Sequence, residues 1–284
     1  MAVGRRSKFA LNFMPVPVFV EGALGVDVGP GSDGVLVGIM TPQAIGKFVA
    51  DDGGSLTDET TGANNATTND MHFFPAAPAV NDACYFGQAE KFCGLDITIG
   101  TKMVAFVGTV VWEYFNGSAW ATLTPTLDES SALIVDATGA KKMRFVPPAD
   151  WAPTTLTGIT GSLYYIRARI SAFTSVTTVP LGTRVYAIDL THGTGLKWSV
   201  PGALDRVQWN ASTVSGSTAD SKVLAINLTK GTCGMFTLTK ATATGQDTSP
   251  NLGISQHDQI AFLQIAEDGS TEFADVQLWA HMAL

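Results

Sequence analysis

The run Trp112-Glu113-Tyr114-Phe115-Asn116-Gly117-Ser118-Ala119-Trp120 constrains the fold most, because it joins two aromatic-rich segments through a dipeptide that tolerates positive φ. That chemistry predicts a two-residue β-hairpin. Val110, Trp112 and Tyr114 are then expected on one face and Glu113 and Phe115 on the other, with Trp120 returning opposite Glu113 and diagonal to Phe115.

Strand signals surround this hairpin. Residues 83–87, 94–99, 103–114, 119–123, 142–145 and 162–170 are rich in Thr, Val, Ile and aromatic residues, and Gly, Pro or Asp separates them. On the last of these, Tyr165, Arg167 and Arg169 alternate with Tyr164, Ile166, Ala168 and Ile170, which predicts one apolar face and one arginine-bearing face free to pair with a neighbouring subunit. A short helical turn is expected after Pro147-Pro148, capped by Asp150 and stopped by Pro153.

Residues 190–284 repeat the style without repeating the sequence. Strands are expected at 197–200, 206–209, 222–227, 234–239 and 259–266, and Asp268-Gly269 is expected to turn the last of them back through Phe273 to Trp279. Residues 1–80 are irregular, with short apolar bursts at 16–20 and 35–40. The segments 51–54 and 60–65 are polar enough to predict solvent-facing loops. Helical periodicity is not sustained anywhere beyond about two turns. The reading is all-β: two β-sandwich, jelly-roll-like domains at 81–189 and 190–284, preceded by an extended N-terminal arm within 1–80.

Composition narrows the function classes. A hydrophobic content of 45% with 15% charged residues is that of a chain that buries cores rather than a disordered one. The formal charge of −8 argues against a nucleic-acid partner, since phosphate contacts need clustered Lys and Arg. The basic cluster Arg5, Arg6 and Lys8 reads either as a solvated tail or as a docking point on an acidic neighbour. Basic residues also precede Phe9-Ala10-Leu11, but Asn12, Pro15 and Pro17 interrupt the apolar stretch, so a secretory leader is not expected. No apolar run approaches the roughly 18 residues of a spanning helix, and no membrane partner is expected.

Gly29-Pro30-Gly31-Ser32-Asp33-Gly34 satisfies G-x-G-x-x-G, yet a dinucleotide loop needs a helix N-terminus after it, and the strand-like Val35-Leu36-Val37-Gly38-Ile39 follows instead. His72, His192, His257 and His281 have no ligand spacing, and His192 reads as a hinge hydrogen bond. Cys84, Cys93 and Cys233 lack C-x-x-C spacing and read as small buried apolar residues. Asp128-Glu129 and Glu267-Asp268 fall in expected turns. No cofactor, metal or enzyme activity is expected.

Taken in order, W-E-Y-x-N-G-x-x-W, then Pro147-Pro148-Ala149-Asp150-Trp151, then Tyr164-Tyr165-Ile166-Arg167-Ala168-Arg169-Ile170 resembles a module of tailed-bacteriophage structural proteins. Such modules occur in head decoration proteins, neck or head fibres, and baseplate or tail components. The similarity begins near Tyr85-Phe86-Gly87, includes Phe92 and Leu95, and runs to about Pro180, roughly a third of the chain. The resemblance implies a virion structural protein, first of all a capsid decoration or cement protein. Its partner would be the major capsid protein. It would act as a homo-oligomer, a trimer being favoured, on a particle surface assembled in the host cytoplasm. Arg5, Arg6, Lys8, Arg167 and Arg169 are the candidate interface residues. A tail, neck or baseplate place is the first alternative, and a glycan-binding protein using exposed Trp and Tyr rings is the second. Trp112 and Trp151 are expected in the packed interior, while Trp120 on the opposite hairpin face is open to either role.

Overall fold

The computed structural model describes residues 35–37, 39–197, 202–210, 213–215, 220–239, 244–266, 272–274 and 277–283. The chain is all-β, with antiparallel pairings throughout the described sheets. Two six-stranded sheets face one another. The front sheet has the order Trp120–Thr122, Val107–Phe115, Tyr164–Ser175, Ala83–Gln88, Lys47–Asp52, Ser55–Asp58. In the back sheet Leu127–Asp128, Gly139–Arg144, Phe92–Thr101, Leu181–Asp189 and Gln43–Ala44 follow one another, and Met71–His72 also pairs with Leu181–Asp189.

Alternation along the strands makes the core. Phe48, Cys84, Phe86, Val110, Trp112, Ile166, Ala168 and Ile170 point inward from the front sheet, and Leu95, Ile97, Ile99, Met143, Val185 and Ala187 meet them from the back. Trp112 and Trp151 are both buried in this layer, as their positions predict. The Trp112 indole N–H donates to Asp128 (2.9 Å), and that of Trp151 donates to the Tyr165 carbonyl (3.0 Å), so neither polar tip is left unsatisfied.

Several expectations are corrected. The hairpin loop has four residues, not two: Trp120 pairs with Phe115, and Thr122 rather than Trp120 lies opposite Glu113. Asn116 prefers to fold its side chain over the loop, accepting from the Ser118 and Ala119 N–H groups, while Gly117 supplies φ +95°. After Pro148 there is a single turn and no helix. Asp150 accepts from the Tyr114 hydroxyl (2.9 Å) instead of capping.

The boundary expected at residue 80 moves toward the N-terminus, because Lys47–Asp52 is an interior strand of the front sheet with Phe48 fully buried. Its Asp52-Gly53-Gly54-Ser55 connection is a tight hairpin whose two glycines take φ +58° and +94°. Residues 60–65, expected as a solvent loop, include the short helix Thr60–Ala63, whose Ala63 is fully buried. Val35–Val37 pairs with Gln259–Ala266, in the carboxy-terminal part of the chain.

That part holds a five-stranded sheet of Val35–Val37, Gln259–Ala266, Ser221–Asn227 and Thr232–Leu238, with Leu196–Lys197 also on Gln259–Ala266. A four-stranded sheet is built around Gly202–Asn210. The predicted turn at Asp268-Gly269 lies outside the described residues; among the described residues Gln277–Ala283 pairs with Gly202–Asn210, and Glu272–Ala274 with Thr213–Ser215. Val223, Leu224, Ala225 and Ile226 are all buried, the pattern of a strand covered on both faces. One face is explained by a seam in which Leu224, Ile226, Ala261 and Leu263 pack on Cys93, Ile188 and Leu190 of the two-sheet unit.

Candidate functional site

The outward face of the front sheet collects the arginines singled out in the sequence. Parity places Val49 and Asp51, Tyr85 and Gly87, Tyr165, Arg167 and Arg169, and Glu113 and Phe115 on this side, with Trp120 beside Phe115. Arg167 lies directly between Tyr85 and Glu113 in the strand register. Gly87, in the aromatic-Gly motif, is opposite Tyr165, whose ring lies against it so closely that a Cβ there would collide with the ring. The absent side chain is what lets a Tyr ring cross the neighbouring strand.

Glu113 is the hub. Its Oε2 accepts from Arg167 Nε (2.7 Å) and Arg169 Nε (2.9 Å), and its Oε1 accepts from Arg169 Nη2 (2.6 Å). Arg169 Nη1 also donates to Asn81 Oδ1 (3.2 Å). Arg167 Nη1 donates to the Tyr85 hydroxyl oxygen (3.2 Å), and that hydroxyl donates to Asp51 Oδ2 (3.0 Å). The Arg167 guanidinium stacks 4.3 Å from the Trp120 ring centroid, while Trp120 meets Tyr85 and Phe115 edge-on.

Both arginines, on the outward face as expected, have a carboxylate partner in their own chain, Glu113. Arg5, Arg6 and Lys8 lie outside the described residues. Trp120, left open between core and platform, is half-buried and shares its surface with a guanidinium and two rings. Glu113 was legible as an outward residue from hairpin parity. Its pairing with the arginines required knowing that Tyr164–Ser175 lies beside Val107–Phe115 across a long loop. Asp51 carried no signal, since its Asp-Asp-Gly-Gly setting read as solvent-exposed turn.

Burial and pairing move the titration of Glu113, Tyr85, Tyr165 and Arg169 away from neutral pH. Burial pushes the Glu113 carboxyl up, but hydrogen bonds and charge from Arg169 and Arg167 outweigh it and hold the group below its ordinary 4.5. Burial raises the Tyr85 phenol against the opposing pull of Arg167, and takes Tyr165 up to about 12, with Asp58 adding to the effect. Arg169 is raised by its bond to Glu113. Such a face presents constant charges, aromatic edges and guanidinium donors, which suits recognition and stiffening of a sheet more than proton transfer.

The remaining titratable residues sit apart. His72 Nδ1 meets Glu59 (2.9 Å) and His192 Nδ1 lies 3.4 Å from Asp189. Among the described residues no group of three or more His, Cys, Asp or Glu side chains converges as a metal site, and no helix is long and apolar enough to cross a membrane. Cys84 lies in the inter-sheet core and Cys93 in the seam, and burial raises the Cys84 thiol well above its usual range and that of Cys233 to about 11. Comparison with protein-family models, curated proteins and solved structures returned no match.

Proposed function

We propose that the chain is a structural protein of a bacteriophage virion, acting as a capsid decoration or cement protein that binds the assembled head and cross-links its subunits. One observation carries the reading: the residues of the phage-module resemblance, far apart in sequence, form one contiguous structural set. Tyr165 crosses Gly87, Trp151 bonds to the Tyr165 carbonyl, Trp112 packs on Phe86, and Arg167 bridges Tyr85 and Trp120. These contacts gather the motif residues within the two-sheet unit, whose outer face carries fixed charges and rings of the kind used for adhesion.

In this reading the two-sheet unit and a second jelly-roll-like unit sit on the head lattice as a homo-oligomer, and the basic cluster Arg5, Arg6 and Lys8 is a docking point on the major capsid protein. Added interface resists the outward pressure of packed DNA without covalent chemistry, and repeated weak contacts become strong through multivalency.

The test is to mix purified chain with preassembled heads of the phage that encodes it and count bound copies by electron microscopy. A copy number near that of the capsomers supports decoration. A few copies at one vertex or on the tail favour the neck, fibre or baseplate place, and heads that never bind the chain overturn the head assignment.

A further inference from the structure

Beyond the pairing with Ala83–Gln88, which ends at Arg169, the Tyr164–Ser175 strand continues with Val107–Phe115 as its only described partner. The two continue as a two-stranded ribbon, with Phe106 and Phe173 packed against the inter-sheet core. On its far side, the hairpin strand Trp120–Thr122 covers only Glu113 to Phe115, so Val107, Gly108 and Thr109 are exposed and no described strand pairs with them there.

Three independent features converge on this ribbon. First, neither 103–112 nor 170–183 contains an Asp, Glu, Lys or Arg, in a chain with 17 basic and 25 acidic residues. Second, the exposed large hydrophobic side chains of the described residues all flank it: Val107 (54% exposed) opposite Ser175, Val104 bridged to Thr178, and Val80 next to Asn81, whose N–H donates to the Ile170 carbonyl. Third, the two flanks differ. The Tyr164–Ser175 side is interrupted by irregularities at 170/172 and 173/175, whereas Val107–Val111 runs without an extra residue. Bulges, charges and proline are the usual protection of a free strand edge, and the Val107 side has none of them.

The backbone direction follows from two bonds. The Trp112 carbonyl faces the hairpin side, where it accepts from Leu123 N–H (2.9 Å), and the Thr109 carbonyl faces the other strand, where Ser171 Oγ donates (3.2 Å). Alternation therefore turns the N–H and C=O groups of Gly108, which is exposed, and of Val110, which is buried, to the hairpin side beyond the end of Trp120–Thr122.

We propose that this edge is a self-association surface: Val107–Val111 pairs antiparallel with the same strand of a second copy about a two-fold axis through Thr109. Gly108 of one copy then exchanges both backbone bonds with Val110 of the other, and the two Thr109 side chains meet at the axis. A second copy is the occupant because an antiparallel edge complements itself. The ribbon is also the place where two chains of net charge −8 meet without placing like charges together. Its lack of charge gives a strongly charged partner nothing to pair with. The contact is independent of the virion reading and of any three-fold association.

The test uses the full chain in sedimentation velocity across a concentration series, with amide hydrogen exchange on the same samples. Wild type is expected to form a dimer, with Gly108 and Val110 amides protected more strongly at high concentration. T109K sets two lysines face to face and V107K adds one at each end, so each should weaken dimerisation at least tenfold. T157K, at an exposed site on the loop over the front sheet, makes the same charge change and should leave the dimer intact. Because Val107 and Thr109 are exposed, all three variants should keep the wild-type thermal transition at concentrations where wild type is monomeric. A chain monomeric at every concentration, or oligomers indifferent to both edge variants, would overturn the proposal. So would Gly108 and Val110 amides already protected in the dilute monomer, since a segment of the same chain would then occupy the edge.

Discussion

Glu113 holds two guanidiniums, and its titration gives direct access to the network. Its folded carboxyl ionises below the ordinary 4.5 because burial, which raises it, is outweighed by Arg169 and Arg167. A carboxyl depressed on folding contributes stability that is fully present above its unfolded value and is lost as pH falls through its folded value. Glu113→Gln leaves two partly buried guanidiniums without a counter-charge and should cost about 3 kcal/mol at pH 7. The gap between wild type and variant, measured by urea denaturation at pH 7, 5 and 3.5, should be constant down to about pH 5 and narrow below 4.5. A gap unchanged at pH 3.5 would mean that the carboxylate does not stabilise this face. Gly87 supplies a second residue-scale test. Gly87→Ala forces a methyl into the Tyr165 ring and should cost about 1–3 kcal/mol in the same assay, whereas Gly53→Ala meets no neighbour and should cost only its positive-φ penalty of about 1 kcal/mol.

At the scale of elements, the hairpin shows how far turn chemistry reaches. Asn116-Gly117 correctly marks the reversal, and the faces of Trp112 and Glu113 follow from parity, but loop length decides which residues oppose each other. Two additional loop residues put Trp120 beside Phe115 and within stacking distance of Arg167. Asn116→Ala removes the side-chain oxygen that accepts from Ser118 and Ala119 and should lower stability by about 1 kcal/mol, read from the denaturation midpoint. Asn116→Asp keeps that acceptor and should lose little. The Lys47–Asp52 strand was hidden for a different reason. Its Phe48-Val49-Ala50 run is short and lies between Lys47 and Asp51, so its burial depends on the strands that flank it rather than on its own hydrophobicity.

On the scale of the whole molecule, the apolar seam joins the two-sheet unit to the carboxy-terminal sheet. Ile188→Ala creates a cavity between them and should cost about 2–4 kcal/mol. Scanning calorimetry should show one transition for wild type and a broadened or split one for the variant. A single sharp transition merely shifted in temperature would show that coupling survives loss of this contact. The sequence by itself determined the all-β class, most central strands and the inward place of Trp112 and Trp151, because alternation and turn residues are local properties of a pleated backbone. Only the tertiary structure decided that Glu113 binds Arg167 and Arg169, that Val35–Val37 joins Gln259–Ala266, and that Gln277–Ala283 passes over its nearest neighbour to pair with Gly202–Asn210. Strand partners separated by tens or hundreds of residues are chosen by burial of whole faces against one another, and no local pattern encodes that choice.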